Sequence, residues 1–427
     1  MKIRNLRWII VTLVAIATVI NYVDRNALAL MWTEISADLG MDKNDYALIV
    51  NFFMIGYAIG QSLFGKIFDK IGTRMGFVLA IVVWSAAIML HAVARGVVSF
   101  GFFRFILGVS EAGNWPGATK SNAEWFPIKE RALAQGIFNS GASIGSIVSP
   151  LIILVLFLQF GWMGTFIVVG ALGLLWLIPW LLLYKAPPDR HPWLSDTERE
   201  YILAGQKSPV ADGVAEQEQA APGWMEMLRY RQSWSVIASR FFLDPVWWLF
   251  VSWLPIYLAE QFGFDIQQIA LFAWVPYVGA AAGAIFGGWL ANALIRNGWT
   301  VNGTRKLTIT LGGVLMLPAL IATAIAGTPL LAVLLIAVIL FGFQIAIGNI
   351  QTLPSDFFSD KSVGSLAGVG GTAAVVGVMV MNWLVPVLSE TSYVPVFILG
   401  ALLVPLAVLS VWGFGGRIGP LASKHAD

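Results

Sequence analysis

The chain has 427 residues, of which 58% are hydrophobic and only 12% charged, with a mean hydropathy of +0.77 and a formal net charge of +2. A soluble domain carries about 25% charged residues, so the composition excludes a soluble fold and predicts an all-α integral membrane protein in a lipid bilayer. The absence of cysteine excludes disulfides and thiolate metal sites, and His91, His191 and His425 are too scattered for a metal cluster.

Apolar segments of about 20 residues cross a bilayer as helices. About twelve can be read, at roughly 8–31, 46–66, 77–95, 100–122, 133–158, 163–184, 234–258, 267–293, 307–326, 329–354, 363–388 and 394–415. The first run, Trp8 to Trp32, is longer than a signal-peptide core and lacks a cleavage site, so no cleaved leader is expected. If the N-terminus lies inside, the inner segments hold 21 of the 26 basic residues, whereas the outer loops hold Lys43 and Arg95. The positive-inside bias places both termini in the cytoplasm.

The fourth segment carries the first functional signal. Arg104 and Glu111 sit within its apolar run, where a charge costs about 2.5–3.5 kcal/mol on insertion scales. Seven residues are about 20° short of two full turns, so the two share a helix face with Gly108 and Trp115. That face is expected to look into a polar cavity. Between Lys185 and Gln232 the apolar pattern stops, with an Ala/Glu/Gln/Gly-rich patch at Pro209–Pro222. This reads as a cytoplasmic linker, 185–232, with a short amphipathic helix near Ser195–Ala204. It separates a six-helix bundle at 1–184 from another at 233–427. Such a division is how many secondary transporters are built.

A faint repeat supports that division. Gly65-x3-Asp69-Lys70-x-Gly72-x-Arg74 follows the second segment, and Gly288-x3-Asn292, with Arg296 beyond it, follows the eighth. The first of these loops resembles the signature of the major facilitator superfamily. Asn21-Tyr22-Val23-Asp24-Arg25, the run Arg104 to Pro116, Trp125-Phe126-Pro127-x2-Glu130-Arg131-Ala132 and Trp253-Leu254-Pro255-x-Tyr257-Leu258 narrow the resemblance. Together they are similar to the anion:cation symporters, which include bacterial hexuronate and galactonate transporters. Thr352-Leu-Pro-Ser-Asp356, followed by Gly364–Gly371, is closer to the hexuronate branch. The resemblance implies a monomeric twelve-helix carrier in a bacterial inner membrane, coupling a proton to a small organic anion. It implies no cofactor beyond that ion, no nucleic-acid partner and no enzymatic activity; no nucleophile–histidine constellation appears either.

Bidentate capture of a carboxylate suits arginine, and a proton carrier needs a carboxyl group whose surroundings change. Glu111 is the foremost proton-coupling candidate, exchanging Arg25 or Arg104 for a proton; the alternative is a static buried ion pair. Asp24 is a second titrating candidate, although about 24 Å of rise from Trp8 puts it in the outer half, where it could simply anchor the helix end. Arg25 is read as the substrate anchor and Arg104 as substrate ligand or structural partner. Tyr57 and Gln61 resemble cavity-lining positions of the family, or make interhelical bonds. Asn349, Gln351, Thr352 and Ser355 interrupt the tenth segment and could meet sugar hydroxyls or bond neighbouring helices beside a kink at Pro354; Thr372 is similar. Asp356 reads as a cap or loop contact. Arg240 and Asp244, four apart, read as a structural pair. Trp247, Trp248 and Trp253 are sugar-stacking or interfacial residues. Gly65, Asp69, Arg74 and Arg131 form the expected cytoplasmic gate, with Asn292 in place of the second-loop aspartate making the two gates unequal.

Two departures matter. Ala142 stands where galactonate-type members carry glutamine, which argues against a simple transfer of galactonate specificity. Gly141-x3-Gly145-x4-Pro150 resembles a motif of superfamily antiporters, or is close packing through small residues. The expected function is proton-coupled symport of a hexuronate-like monoanion by alternating access. An organic-anion exchanger and a sodium-coupled carrier of the same fold are the alternatives.

Overall fold

The structure, a computed structural model, describes residues 2–127, 130–204, 206, 227–358 and 360–419. The Pro209–Pro222 patch and Lys129, Lys207 and Lys424 lie outside the described residues. Two compact units emerge, Met1–Gln217 and Glu218–Asp427. The first contains α1 (Leu6–Leu30), α2 (Trp32–Leu39), α3 (Lys43–Leu90), α4 (Val97–Glu111), α5 (Asn114–Trp125), α6 (Arg131–Leu183) and α7 (Asp196–Ala204). The second contains α8 (Arg231–Phe262), α9 (Ile266–Phe272), α10 (Val275–Arg296), α11 (Val301–Ala324), α12 (Pro329–Ile350), α13 (Leu353–Phe357), α14 (Asp360–Leu388) and α15 (Val394–Gly415).

Among the described residues, nine stretches are long and apolar enough to cross a membrane. Lys43–Val93 and Leu133–Leu183 have 51 residues each, about 77 Å of helix, more than twice the thickness of a hydrocarbon core. Each changes direction at a glycine with left-handed φ, Gly72 at 78° and Gly161 at 62°. A side chain would be strained at either point. Each stretch is therefore long enough for two crossings, and with the broken pair α4–α5 as another the described helices are consistent with the twelve segments read from the sequence.

Three segments expected as single helices are divided, and one chemical cause accounts for all three. The chain breaks at Ala112–Gly113, Ala273–Trp274 and Gln351–Thr352, shortly before Pro116, Pro276 and Pro354. A proline cannot donate to the carbonyl four residues back, and its ring crowds that carbonyl. Those carbonyls belong to Ala112, Phe272 and Ile350, and the preceding helix ends at or just before each. Pro245 and Pro255 lie within α8 without ending it.

Packing in the first unit sets α4 against α3 and α1 against α6. Glycine permits the first contact: a Cβ on Gly56 would strike the Phe105 carbonyl, and one on Gly108 the Phe53 carbonyl. In the second unit α10 and α11 pack on α12, and α14 and α15 on α8. The segment after α6 returns to its own unit. Ile3 donates its N–H to the Trp193 carbonyl at 2.8 Å. Glu198 of α7 accepts from the Leu6 and Arg7 backbone N–H groups at 3.2 and 3.3 Å. The α1 N-cap, Asn5, makes no capping bond of its own, so a carboxylate from α7 supplies the missing acceptor at the positive end of the α1 dipole.

Candidate functional site: a buried charge cluster in the first unit

Thr18, Asn21 and Arg25 recur along α1 at spacings that place them on one helix face. All three are buried, as is Asp24 beside them. Facing them is the end of α4, where Glu111 is the last residue before the break. Arg25 Nε donates to Glu111 Oε2 at 2.7 Å, with both side chains withdrawn from solvent. The Arg25 guanidinium also lies 4.8 Å from the ring centroid of Tyr57, 5.1 Å from that of Tyr22 and 5.5 Å from that of Phe53. Aromatic faces stabilise a cation by their quadrupoles, more so when desolvated. One carboxylate and three rings thus contribute to holding Arg25.

Asp24 and Arg104 complete the cluster. Asp24 interacts electrostatically with Glu111, Arg104 and Arg25, and Arg104 with Glu111 and Asp24. Two guanidinium and two carboxylate groups give formal charges that cancel. Hydrogen bonding is far less complete than charge balance. Both Asp24 oxygens, Arg104 Nε and Nη2, Glu111 Oε1 and both Asn21 amide atoms have no hydrogen-bond partner among the described residues. A buried polar group left in that condition costs about 1–3 kcal/mol, and more when charged. Few structural ion pairs carry such a burden, because buried pairs add little net stability even when satisfied.

The other residues singled out from the sequence fall elsewhere. Tyr57 is buried in the cluster, whereas Gln61, one turn along α3, is exposed. Gly65 has open space around it. Asp69 accepts from Lys120 Nζ at 2.9 Å on an exposed surface. Arg74 donates to the Leu181 carbonyl, and Arg131 to those of Phe126 and Ala123. In the second unit Asn349 accepts from Arg305 at 3.0 Å and donates to the Ile345 carbonyl at 2.9 Å. Arg305 also binds both oxygens of Asp356, at 2.8 and 3.4 Å, so Asp356 ties α13 to α11. Thr352, Ser355 and Thr372 donate to nearby backbone carbonyls of their own segments, and Gln351 is exposed. Arg240 and Asp244 bond each other within α8. Trp247 stacks on Phe343 at 5.4 Å, and Trp253 donates to Asn382 at 3.0 Å. A Cβ on Gly141 or Gly145 would crowd the Ala15 or Val19 carbonyl, so this pair of glycines is the contact surface between α6 and α1.

Several participants carried no role in the sequence reading. Phe53 and Tyr22 enclose Arg25; Asn26 donates to Ser149 at 2.8 Å; Asn114 donates to Thr18 at 2.9 Å. Thr18 had a visible signal, its spacing of seven from Arg25. Asn114 had none, because its place depends on the break before Pro116.

The comparisons with known proteins agree with this architecture. A family model described as Major Facilitator Superfamily matches residues 14–381. The hexuronate transporter of Escherichia coli (strain K12) is 32% identical over 415 residues, covering 96% of this chain and 94% of that protein. The galacturonate transporter of Dickeya chrysanthemi is 36% identical over 318 residues, covering 74% of this chain and 90% of that protein. A crystal structure of a bacterial homolog of the human lysosomal transporter Spinster superposes with a TM-score of 0.75 at 16% identity, covering 97% of each chain. This is a multi-pass membrane transporter related to carriers of sugar acids, and the chain belongs to the Major Facilitator Superfamily.

Proposed function

We propose that the protein is a proton-coupled symporter of a sugar acid, a hexuronate-like monoanion, working by alternating access. One observation carries the reading: the buried Arg25–Glu111 hydrogen bond, set beside both carboxylate oxygens of Asp24 and Nε and Nη2 of Arg104, which lack hydrogen-bond partners among the described residues.

Charge balance gives the cycle its logic. With all four groups ionised the cluster is neutral, and an added carboxylate would leave a net charge in a low-dielectric site, which is costly. A proton on Glu111 removes one negative charge and releases the Arg25 guanidinium. A monoanion can then take the position of the Glu111 carboxylate, and the loaded cluster is neutral again. Loss of that proton on the inner side lets Glu111 compete for Arg25 and expel the substrate. A second proton on Asp24 would leave the loaded carrier with one positive charge, and uptake would respond to membrane potential. Tyr22, Phe53 and Tyr57 hold the guanidinium in place while its anionic partner changes.

The relatives named for hexuronate and galacturonate transport support the substrate class. The close contact of Gly141 and Gly145 with α1 supports a packing role for that motif. Uptake of radiolabelled glucuronate and galacturonate into proteoliposomes, with and without an imposed inward proton gradient, is the test. Stimulation by the gradient is expected for at least one substrate. Uptake that ignores the gradient but requires internal anion would replace symport with exchange.

A further inference from the structure

The geometry points to Asn114 as a positioning residue for proton coupling, acting through Thr18 to hold the Arg25-bearing face of α1 in register with the α4–α5 joint. This inference rests on the symport reading, in which the Arg25–Glu111 contact must form and break in each cycle.

The break at Ala112–Gly113 creates the need for such a tie. In a continuous helix, backbone hydrogen bonds fix the placement of one turn relative to the next. Here Pro116 offers no N–H to the Ala112 carbonyl, and Gly113 bonds instead to Ser110, three residues back, at 3.1 Å. Glu111 stands just before the joint and Asn114 just after it. Side chains must do what the backbone ladder does not.

Asn114 is fully buried, and its Nδ2 donates to Thr18 Oγ1 at 2.9 Å. Thr18 is equally buried and donates its own hydroxyl hydrogen to the Val14 carbonyl at 3.1 Å, leaving the oxygen as acceptor. Thr18 and Arg25 are two turns apart on one face of α1. Beyond Arg25, Asn26 donates to Ser149 of α6 at 2.8 Å. Arg25 is therefore flanked by two polar ties, one to α5 and one to α6. The Glu111 side of the ion pair has the interrupted backbone beside it. When Glu111 gains a proton, the motion falls to the joint while α1 stays in place. On proton loss, the Asn114–Thr18 bond returns Glu111 to within reach of Arg25.

This differs from a purely structural hydrogen bond in what its loss affects. Counterflow needs the loaded carrier to reorient without releasing its proton, whereas gradient-driven uptake needs Glu111 to re-engage Arg25 in every turnover. The experiment measures both modes with radiolabelled glucuronate, or galacturonate if that is the substrate wild type takes, for wild type, Asn114→Ala, Thr18→Val, Thr18→Ser and the Asn114→Ala/Thr18→Val pair. Thr18→Val preserves shape and removes the acceptor; Thr18→Ser retains it. Expected is a fall of about two- to tenfold in driven uptake for the first two variants, the range corresponding to one net hydrogen bond. Counterflow stays near wild type, Thr18→Ser behaves as wild type, and the double variant is no worse than either single one. A proportional loss of both modes, or driven uptake unchanged in Thr18→Val, overturns the positioning role. Absence of gradient stimulation in wild type overturns the symport reading itself, and the inference with it.

Discussion

Two charged sites, the Arg305–Asp356 pair of the second unit and the four-residue cluster of the first, handle charge in opposite ways. In the second unit, Arg240 and Asp244 are neighbours on one helix, and Arg305 binds both oxygens of Asp356 while also reaching Asn349. Arg305 and Asp356 keep partial contact with solvent, with 15% and 14% of their side chains exposed. In the first unit, Asp24, Arg25, Arg104 and Glu111 are almost wholly buried, come from α1 and α4, and leave several polar atoms without hydrogen-bond partners among the described residues. The Arg305–Asp356 pair, with both carboxylate oxygens bound, is an ordinary structural tie, whereas Arg240–Asp244 lies within α8 and leaves Asp244 Oδ1 buried without a hydrogen-bond partner among the described residues. An under-satisfied cluster between helices is costly for stability and is retained where charge has to change partners.

If that contrast is right, substitutions in the two units should separate coupling from stability. The largest effect is expected from Arg25→Ala, which leaves two buried carboxylates facing a single guanidinium. Removing one partner of a buried, hydrogen-bonded charge pair typically costs 2–5 kcal/mol, so glucuronate uptake should fall by about thirtyfold or more. Arg25→Lys keeps the charge but not the bidentate fork, and should raise KM more than it lowers the maximal rate. Glu111→Gln ranks next. Gradient-driven uptake should vanish while counterflow survives, because an amide imitates the protonated acid; loss of neither would remove Glu111 from the mechanism.

Packing comes third. Gly108→Ala drives a methyl group into the Phe53 carbonyl of α3, and overpacking of this kind costs about 1–3 kcal/mol. A lower melting temperature in detergent is expected. Asp356→Asn in the second unit should be milder still, about 1 kcal/mol for a partly exposed pair. It should leave the ratio of driven uptake to counterflow unchanged, and a changed ratio would break the proposed division of labour.

The smallest effect concerns the segment docked beneath the first unit. His191 is buried; its Nδ1 accepts from the Trp193 N–H at 3.2 Å, and its Nε2 faces the Leu183 carbonyl at 2.9 Å. Burial, reinforced by the nearby charges of Lys185 and Arg199, holds its pKa below the ordinary 6.5 of histidine, although the Leu183 contact works against the shift. The unfolded segment therefore binds the proton more readily. The docked state has its full stability above pH 6.5 and weakens as pH falls below it. Hydrogen-exchange protection factors at 193–204, corrected for the pH dependence of intrinsic exchange, should fall as pH drops from 7.5 to 5.5, and His191→Asn should flatten that dependence.

Much of this contrast was legible in the sequence because bilayer physics restricts where charge can sit. Arg104 and Glu111 stood out against an apolar background, and adjacency to an Asn-Tyr motif drew attention to Asp24 and Arg25. The pairing of Arg25 with Glu111 could be named in advance as one of two possibilities, Arg104 being the other. The sequence reading missed the joint at Ala112–Gly113, although Pro116 was in plain view, because proline does not always end a membrane helix: Pro245 and Pro255 do not end α8. Asn349 illustrates a different limit. Its polarity was evident, but a side chain that meets a sugar and one that meets Arg305 read the same until α11 is placed beside it.

The central claim, that a proton travels with the anion through Glu111, is tested most directly by following protons themselves. Wild type and Glu111→Gln would be reconstituted in vesicles containing a pH-sensitive dye, with no gradient imposed, and glucuronate or galacturonate added outside. Wild type should acidify the lumen in step with uptake, with at least one proton per monoanion, while Glu111→Gln should leave the lumen unchanged. Anion uptake by wild type without luminal acidification would contradict the account.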